Sequence, residues 1–280
     1  MKTFDAIDEN DMTAFEAEAK VGLLATVNPD GLPHITFISS IRARDPKRLI
    51  WGQFAEGLSK KHVKTQPKTG FLILTLDRRL WRGKALWTHE EKQGPEYEMY
   101  NNTPMFRYNS YFGIHTVHFM DLVETYGREG LPMARIVVGS LLTMAAKSAA
   151  RAEREEALTP WGRELFGKLG ALRFMAYIGD DGFPVVFPLL QTGTADGGRL
   201  VFSAWAFGRE LAGLKPGCPA AAFALTMDME NLLLRGTFQG FSRYRGVRLG
   251  VMDIDWVYNS MPPVQGQVYP ATALEPVTDF

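Results

Sequence analysis

Cysteine is almost missing from these 280 residues, with Cys218 standing alone. A lone thiol excludes an intrachain disulfide and fits a reducing compartment; it reads first as a small buried residue rather than a nucleophile. Net charge is missing too. Lys plus Arg and Asp plus Glu come to 31 each, so no global field draws the chain to nucleic acid or to anionic lipid, and neither is expected as a partner. Long apolar runs are scarce. The opening Met1-Lys2-Thr3-Phe4-Asp5 has no signal-like stretch, and the longest run, 131–146, carries Arg135 and is too short and interrupted to cross a bilayer. The expectation is a cytoplasmic protein without a membrane partner. Also lacking are a glycine-rich phosphate loop of the dinucleotide type and a Ser, His and Asp arrangement suited to nucleophilic catalysis. His115 and His118 invite a metal reading, but residues three apart on a strand face opposite ways, and no cysteine or acidic cluster completes a site. No metal is expected.

What the chain does hold is a second copy of its own pattern. Residues 21–86 can be laid over 172–239 with few gaps: Leu24-Ala25-Thr26-Val27 falls on Met175-Ala176-Tyr177-Ile178, and Arg48-Leu49-Ile50-Trp51 on Arg199-Leu200-Val201-Phe202. Pro67 falls on Pro219, Asp77 on Asp228, and Arg82-Gly83 on Arg235-Gly236. A period this long marks a duplicated domain rather than a solenoid. The length allows two domains, each with its own core. We place them at 1–126 and 159–280, with a helical connector at 127–158.

In the first copy, 22–27 and 34–41 flank the turn Asn28-Pro29-Asp30-Gly31 and read as a hairpin. Segments 48–54, 70–76, 80–88 and 113–123 continue the β pattern, so six strands in a meander suggest a closed or nearly closed barrel. Thr13 with Glu16 has the capping-box spacing of a short entry helix. The connector is alanine-rich, with Met133, Ile136, Val137, Leu141 and Met144 near helical spacing, and Thr159-Pro160 starts a further helix. The predicted class is mainly β with helices: two tandem six-stranded barrels joined by a helical connector.

Charge is distributed unevenly between the copies. Residues 47–68 hold Lys47, Arg48, Lys60, Lys61, Lys64 and Lys68 against Glu56, whereas the matching 199–219 hold Arg199, Arg209 and Lys215 against Glu210. Gly57-Leu58-Ser59-Lys60-Lys61 sets a hydroxyl and two ammonium groups at a helix start, where free amides and the helix dipole favour a phosphate. A solvated helix face is the plain alternative.

Six motifs occur in order: Ala25-Thr26-Val27, Asp30-Gly31-Leu32-Pro33-His34, Leu49-Ile50-Trp51-Gly52, Ser59-Lys60-Lys61, Gln66-Pro67-Lys68 and Trp81-Arg82-Gly83-Lys84-Ala85. Together they resemble the flavin-binding split-barrel superfamily, best known from pyridoxamine 5′-phosphate oxidase. That resemblance implies Greek-key barrels of six strands that hold FMN between two barrels, here a pseudo-dimer within one chain; a homodimer of tandem chains is left open. It also implies that Ser59 and Lys61, helped by Lys60, grip the phosphate. Thr36, Ser39, Ser40 and Ile41, with Gln53 opposite, would line the ribityl chain and ring. Ser40, Gln53 and Lys84 would be donors to the ring, and Trp256 would either reach it from the second barrel or sit in that barrel's core. The family's oxidase places Arg and Lys where this chain has Thr36 and Ile41, so turnover of a phosphorylated pyridoxine compound does not follow.

After Thr88 the first copy carries an insertion of about 16 residues relative to the second. It is rich in Tyr and Asn and includes Arg107, Tyr108, Asn109 and Tyr111, the composition of a lid over a flat ligand. A structural loop or a dimer contact fits equally. The resulting expectation is one FMN site per chain and a flavin-dependent oxidoreductase acting on a small molecule or redox-protein partner. A non-catalytic flavin or electron carrier, a deazaflavin protein and a haem binder stay open as alternatives.

Overall fold

The structure, a computed structural model, describes residues 2–17, 19–53, 55–103, 113–260 and 266–272. One sheet contains β1 (Lys20–Val27), β2 (Pro33–Phe37), β3 (Arg42–Asp45), β4 (Arg48–Gln53), β5 (Lys68–Thr75), β6 (Arg79–Glu91), β7 (Thr116–Thr125) and β8 (Glu129–Gly130). The other contains β9 (Leu172–Ile178), β10 (Pro184–Pro188), β11 (Thr192–Thr194), β12 (Arg199–Ser203), β13 (Pro219–Leu225), β14 (Asn231–Tyr244), β15 (Val247–Asn259) and β16 (Gly266–Tyr269). The strand orders are β2-β1-β5-β6-β7-β4-β3 and β10-β9-β13-β14-β15-β12-β11, the same path displaced by eight strands. The chain is mainly β, with two like antiparallel sheets in tandem and a helical segment between them. The six strands expected in the first half are β1, β2 and β4 to β7; β3 and β8 are short additions.

The connectivity is not the expected meander. β1 pairs with β5, Leu24 opposite Phe71, and β4 pairs with β7, Trp51 opposite His118. The helix Leu58–Thr65 carries the chain from β4 to β5, away from its sequence neighbour, which gives the Greek-key order that the family resemblance implies.

Contacts divide the chain into two compact units. The first is Met1–Gly31, Thr36–Leu131 and Asp180–Val186; the second is Leu32–Ile35, Pro132–Gly179 and Phe187–Phe280. In the first, one face of the sheet buries Phe15, Leu24, Trp51, Phe71, Trp81 and Met120. The other face buries Ile50, Tyr100, Ile114, Val117 and Phe119, partly beneath the helix Pro95–Asn102. Neighbours Ile50 and Trp51 thus serve different clusters, as strand alternation requires. Full burial of each such side chain contributes about 1.5–3 kcal/mol.

The matched Arg-Gly pairs have a shared backbone reason. A β-carbon on Gly83 would collide with the Glu124 carbonyl oxygen, and one on Gly236 with that of Asp253. Each glycine lies beside a register shift in its strand pair, where the partner backbone comes close.

Helix starts divide by their caps. Thr159 caps Pro160–Gly167 as expected, its hydroxyl accepting from Gly162 N. Thr13 does not act as a cap: the entry helix Met12–Glu16 starts two residues earlier than that cap would give, with Asp11 at its N-cap, because the 3-10 turn Glu9–Asp11, capped by Asp8, already sets the chain's direction. In the second unit, Arg173 is buried and donates to Phe166 O at 2.8 Å and Thr192 O at 3.0 Å, closing the end of Pro160–Gly167. Burial pulls its pKa down to about 10. The connector helix Met133–Ala146 lies on β11, β12 and β15. Of the five apolar residues whose spacing marks it, only Ile136 is fully buried.

Candidate ligand-binding site

β4 ends at Gln53, and the chain enters the helix Leu58–Thr65 through Gly57, its N-cap. Gly57 offers no side chain to the first-turn amides, and no other side chain caps them among the described residues. Ser59, in that turn, is fully buried, and its Oγ has no hydrogen-bond partner among the described residues. A buried hydroxyl without a partner is costly unless something fills its place.

Lys60 folds back over Gly57, its Nζ 3.2 Å from where a β-carbon would stand. Burial lowers its pKa to about 8, against an opposing pull from Glu56. Lys61 and Lys64 are exposed beside it, and Lys64 pairs with Glu90 at 2.9 Å. These groups line a pocket of about 100 Å³ with Gln53, Glu56, Lys92, His115 and Thr116. Its four lysines outnumber its two glutamates, so it attracts an anion. Ordinary small-molecule sites are about 300–1,000 Å³. This one has the volume of an anionic headgroup rather than of a whole nucleotide.

Beneath the pocket lies a directional hydrogen-bond chain. Trp87 Nε1, which can only donate, bonds to His118 Nδ1 at 3.1 Å. The His118 proton therefore sits on Nε2, which donates to Gln53 Oε1 at 2.8 Å. Gln53 Nε2 donates in turn to Glu56 Oε1 at 2.9 Å. Burial, with the charges of Lys64 and Lys60, pushes the His118 pKa down to about 3. It is neutral at neutral pH, so the Glu90 carboxylate 3.8 Å from its Nδ1 makes no ion pair with it.

The residues expected at the site separate into two sets. Gln53, Ser59, Lys60 and Lys61 come together around the helix head. Thr36 is half-buried on β2, and Ser39 half-buried just beyond it. Ser40 is committed to the backbone, its Oγ donating to Gly52 O at 2.8 Å and accepting from Gly52 N at 3.1 Å. Ile41 is fully buried in the core. Lys84 holds Glu124 at 2.7 Å and Asp181 at 2.6 Å, fixing the 180–186 turn in the first unit instead of presenting a free ammonium. Trp256 belongs to the second unit. Arg235 lies 4.0 Å from its ring, Tyr258 stacks on it at 5.2 Å, and its Nε1 donates to Gln267 Oε1 at 2.9 Å.

Arg107, Tyr108, Asn109 and Tyr111 lie outside the described residues. The described start of that insertion is structural: the buried Tyr100 donates to Ser40 O at 2.7 Å, and Asn101 bonds both ways with the Ile114 backbone. His115 is exposed while His118 is buried. In the sequence His118 raises only the question of a metal, and its bond to Gln53, 65 residues away, leaves no local mark. The signal that locates it is the pairing of β4 with β7, which a meander hides.

The second unit lacks the same set. Displaced by 151 residues, Phe202 stands for Trp51 and Ala204 for Gln53; matched at their N-caps Gly57 and Phe207, the two helices set Arg209 against Ser59; and Gly250 lies opposite Phe202 where His118 lies opposite Trp51. Its helix, Gly208–Ala212, is only five residues long.

No family model matches the chain, and no curated protein sequence does. Solved structures similar to it include an FMN-binding protein from Syntrophomonas wolfei subsp. wolfei, 18% identical over 44% of this chain and 86% of that one, with a TM-score of 0.37. An F420 reductase is 17% identical over 42% of this chain and 98% of its own, TM-score 0.35. General Stress Protein 26 from Bacillus anthracis str. Sterne is 18% identical over 42% and 90%, TM-score 0.33. Each spans under half of this chain, and the fold described above rests on its own strand order.

Proposed function

We propose that the first unit binds FMN, its 5′-phosphate seated at the head of the helix Leu58–Thr65, and that the chain is a flavin-dependent oxidoreductase acting on a small molecule or redox partner. The observation that carries this reading is the partnerless, buried Ser59 hydroxyl beside uncapped amides and the half-buried Lys60. Such a group of donors suits a phosphate dianion. Ser59 and the first-turn amides would hold the phosphate, and Lys60 and Lys61 would neutralise it. His118 fixes which end of the Gln53 amide faces the pocket. Bound flavin would supply hydride or electron transfer, while the protein supplies binding and orientation.

Fluorescence titration tests the reading. FMN should bind at least tenfold more tightly than riboflavin, and inorganic phosphate should compete with FMN. Equal affinity for FMN and riboflavin would remove the phosphate seat from the proposal, and no binding of either would remove the flavin.

A further inference from the structure

The helix Met133–Ala146 is built inside out. Its buried residues are Ile136, Gly139, Thr143 and Ala146, two of them small and one a hydroxyl. Its large apolar side chains face outward, with Val137 at 53%, Leu141 at 67% and Met144 at 58% exposure. At 3.6 residues per turn these share one side of the helix. Trp205, in the same unit, is 58% exposed. It lines a shallow hollow of about 520 Å³ with Leu142, Val247 and Arg248. A surface helix of a globular protein normally turns its apolar stripe inward. A contiguous outward stripe marks a protein or membrane contact.

The charge around the stripe is of one sign. Lys147 follows the stripe at the helix C-cap, while Arg135 projects from the other side of the helix. Arg245 Nη1 donates to Ala145 O at 3.2 Å, which holds its positive group at the end of the helix. Arg248 stands at the hollow itself. Segments 130–152, 203–209 and 238–252 contain no aspartate or glutamate. The neutral total of the chain averages over this local asymmetry.

We infer that this outward apolar face, with its cationic rim, docks peripherally on an anionic lipid surface. An apolar stripe with a tryptophan and flanking basic groups is what an interfacial helix presents to headgroups and acyl chains, and a cytoplasmic leaflet supplies the negative charge. The helix lies on that surface and does not cross it, because its other side is packed on β11, β12 and β15. A second copy of the chain is the poorer occupant, since face-to-face pairing would bring the two basic rims together.

Cosedimentation of the full chain with vesicles tests this. Vesicles of phosphatidylcholine containing phosphatidylglycerol should bind it, phosphatidylcholine alone should not, and 0.5 M salt should release it. Arg245→Gln with Arg248→Gln should weaken binding about 25-fold, at about fivefold for each basic residue near the surface. Leu141→Glu with Met144→Glu should abolish binding. Both changes fall on exposed positions, so thermal unfolding should be unaltered and serves as the folding control. Absence of binding, or equal binding to neutral vesicles, would overturn the inference. So would a wild-type dimer that Leu141→Glu with Met144→Glu converts to monomer, since the face would then belong to a second copy.

Discussion

His118 lies flat on Trp51, their ring centroids 3.8 Å apart and their planes 8° from parallel. Buried in this stack and facing the charges of Lys64 and Lys60, the imidazole is held in its neutral form. An unfolded histidine takes a proton near pH 6.5, whereas this one resists until about 3. Between those values the unfolded chain binds more protons, so stability falls as pH drops. Urea midpoints should show a loss of about 2 kcal/mol by pH 5 relative to neutral pH. His118→Phe, which keeps an aromatic face over Trp51, should flatten this acid dependence. An equal slope in the variant would assign it to other groups.

Ser59→Ala with Lys61→Ala removes a hydroxyl and a charge from the helix head. FMN affinity should fall about 10- to 100-fold, the range of a lost hydrogen bond to a charged group. Riboflavin affinity should stay as it is. Isothermal titration with both ligands reads the difference directly.

Lys60 gives the seat a pH limit on the alkaline side. Its depressed pKa, about 8, means that the free protein loses this charge as pH rises through 8. FMN binding should therefore weaken by about tenfold between pH 7 and 9.5. Lys60→Arg should hold its affinity over that interval, because a guanidinium stays protonated.

Gly83→Ala tests the close backbone approach in β6. The added methyl meets the Glu124 carbonyl, a rigid neighbour, so denaturant unfolding should show a loss of about 1–3 kcal/mol. Gly236→Ala should cost a similar amount in the second unit, where the carbonyl is that of Asp253. A neutral result at either position would mean that the strand pair shifts freely there.

Local signals were legible and non-local ones were not. The Asn28-Pro29-Asp30-Gly31 turn, the six strands of the first half and the Thr159 cap follow from neighbours in sequence, where propensity and periodicity act. Strand order does not, because alternation marks a segment as β without naming its partner. The β4 pairing with β7 therefore came only from the structure, and His118 with it. The placing of Ser59, Lys60 and Lys61 in the first turn of a helix is legible because helix-start chemistry is local. That of Ser40 and Lys84 is not, because Gly52 and Asp181, which occupy them, are 12 and 97 residues away. Thr13 has the spacing of a capping box, but Asp11, two residues earlier, holds the cap position.

Ala204 and Gly250, with the five-residue helix Gly208–Ala212, bear on stoichiometry in the trailing half. Without a full-length helix head and its buried serine, that half would offer a dianion no seat, so the polypeptide should saturate at one equivalent of nucleotide. Two sheets of like topology would then divide the labour, one recruiting the ligand and the other released from that task to vary its exterior.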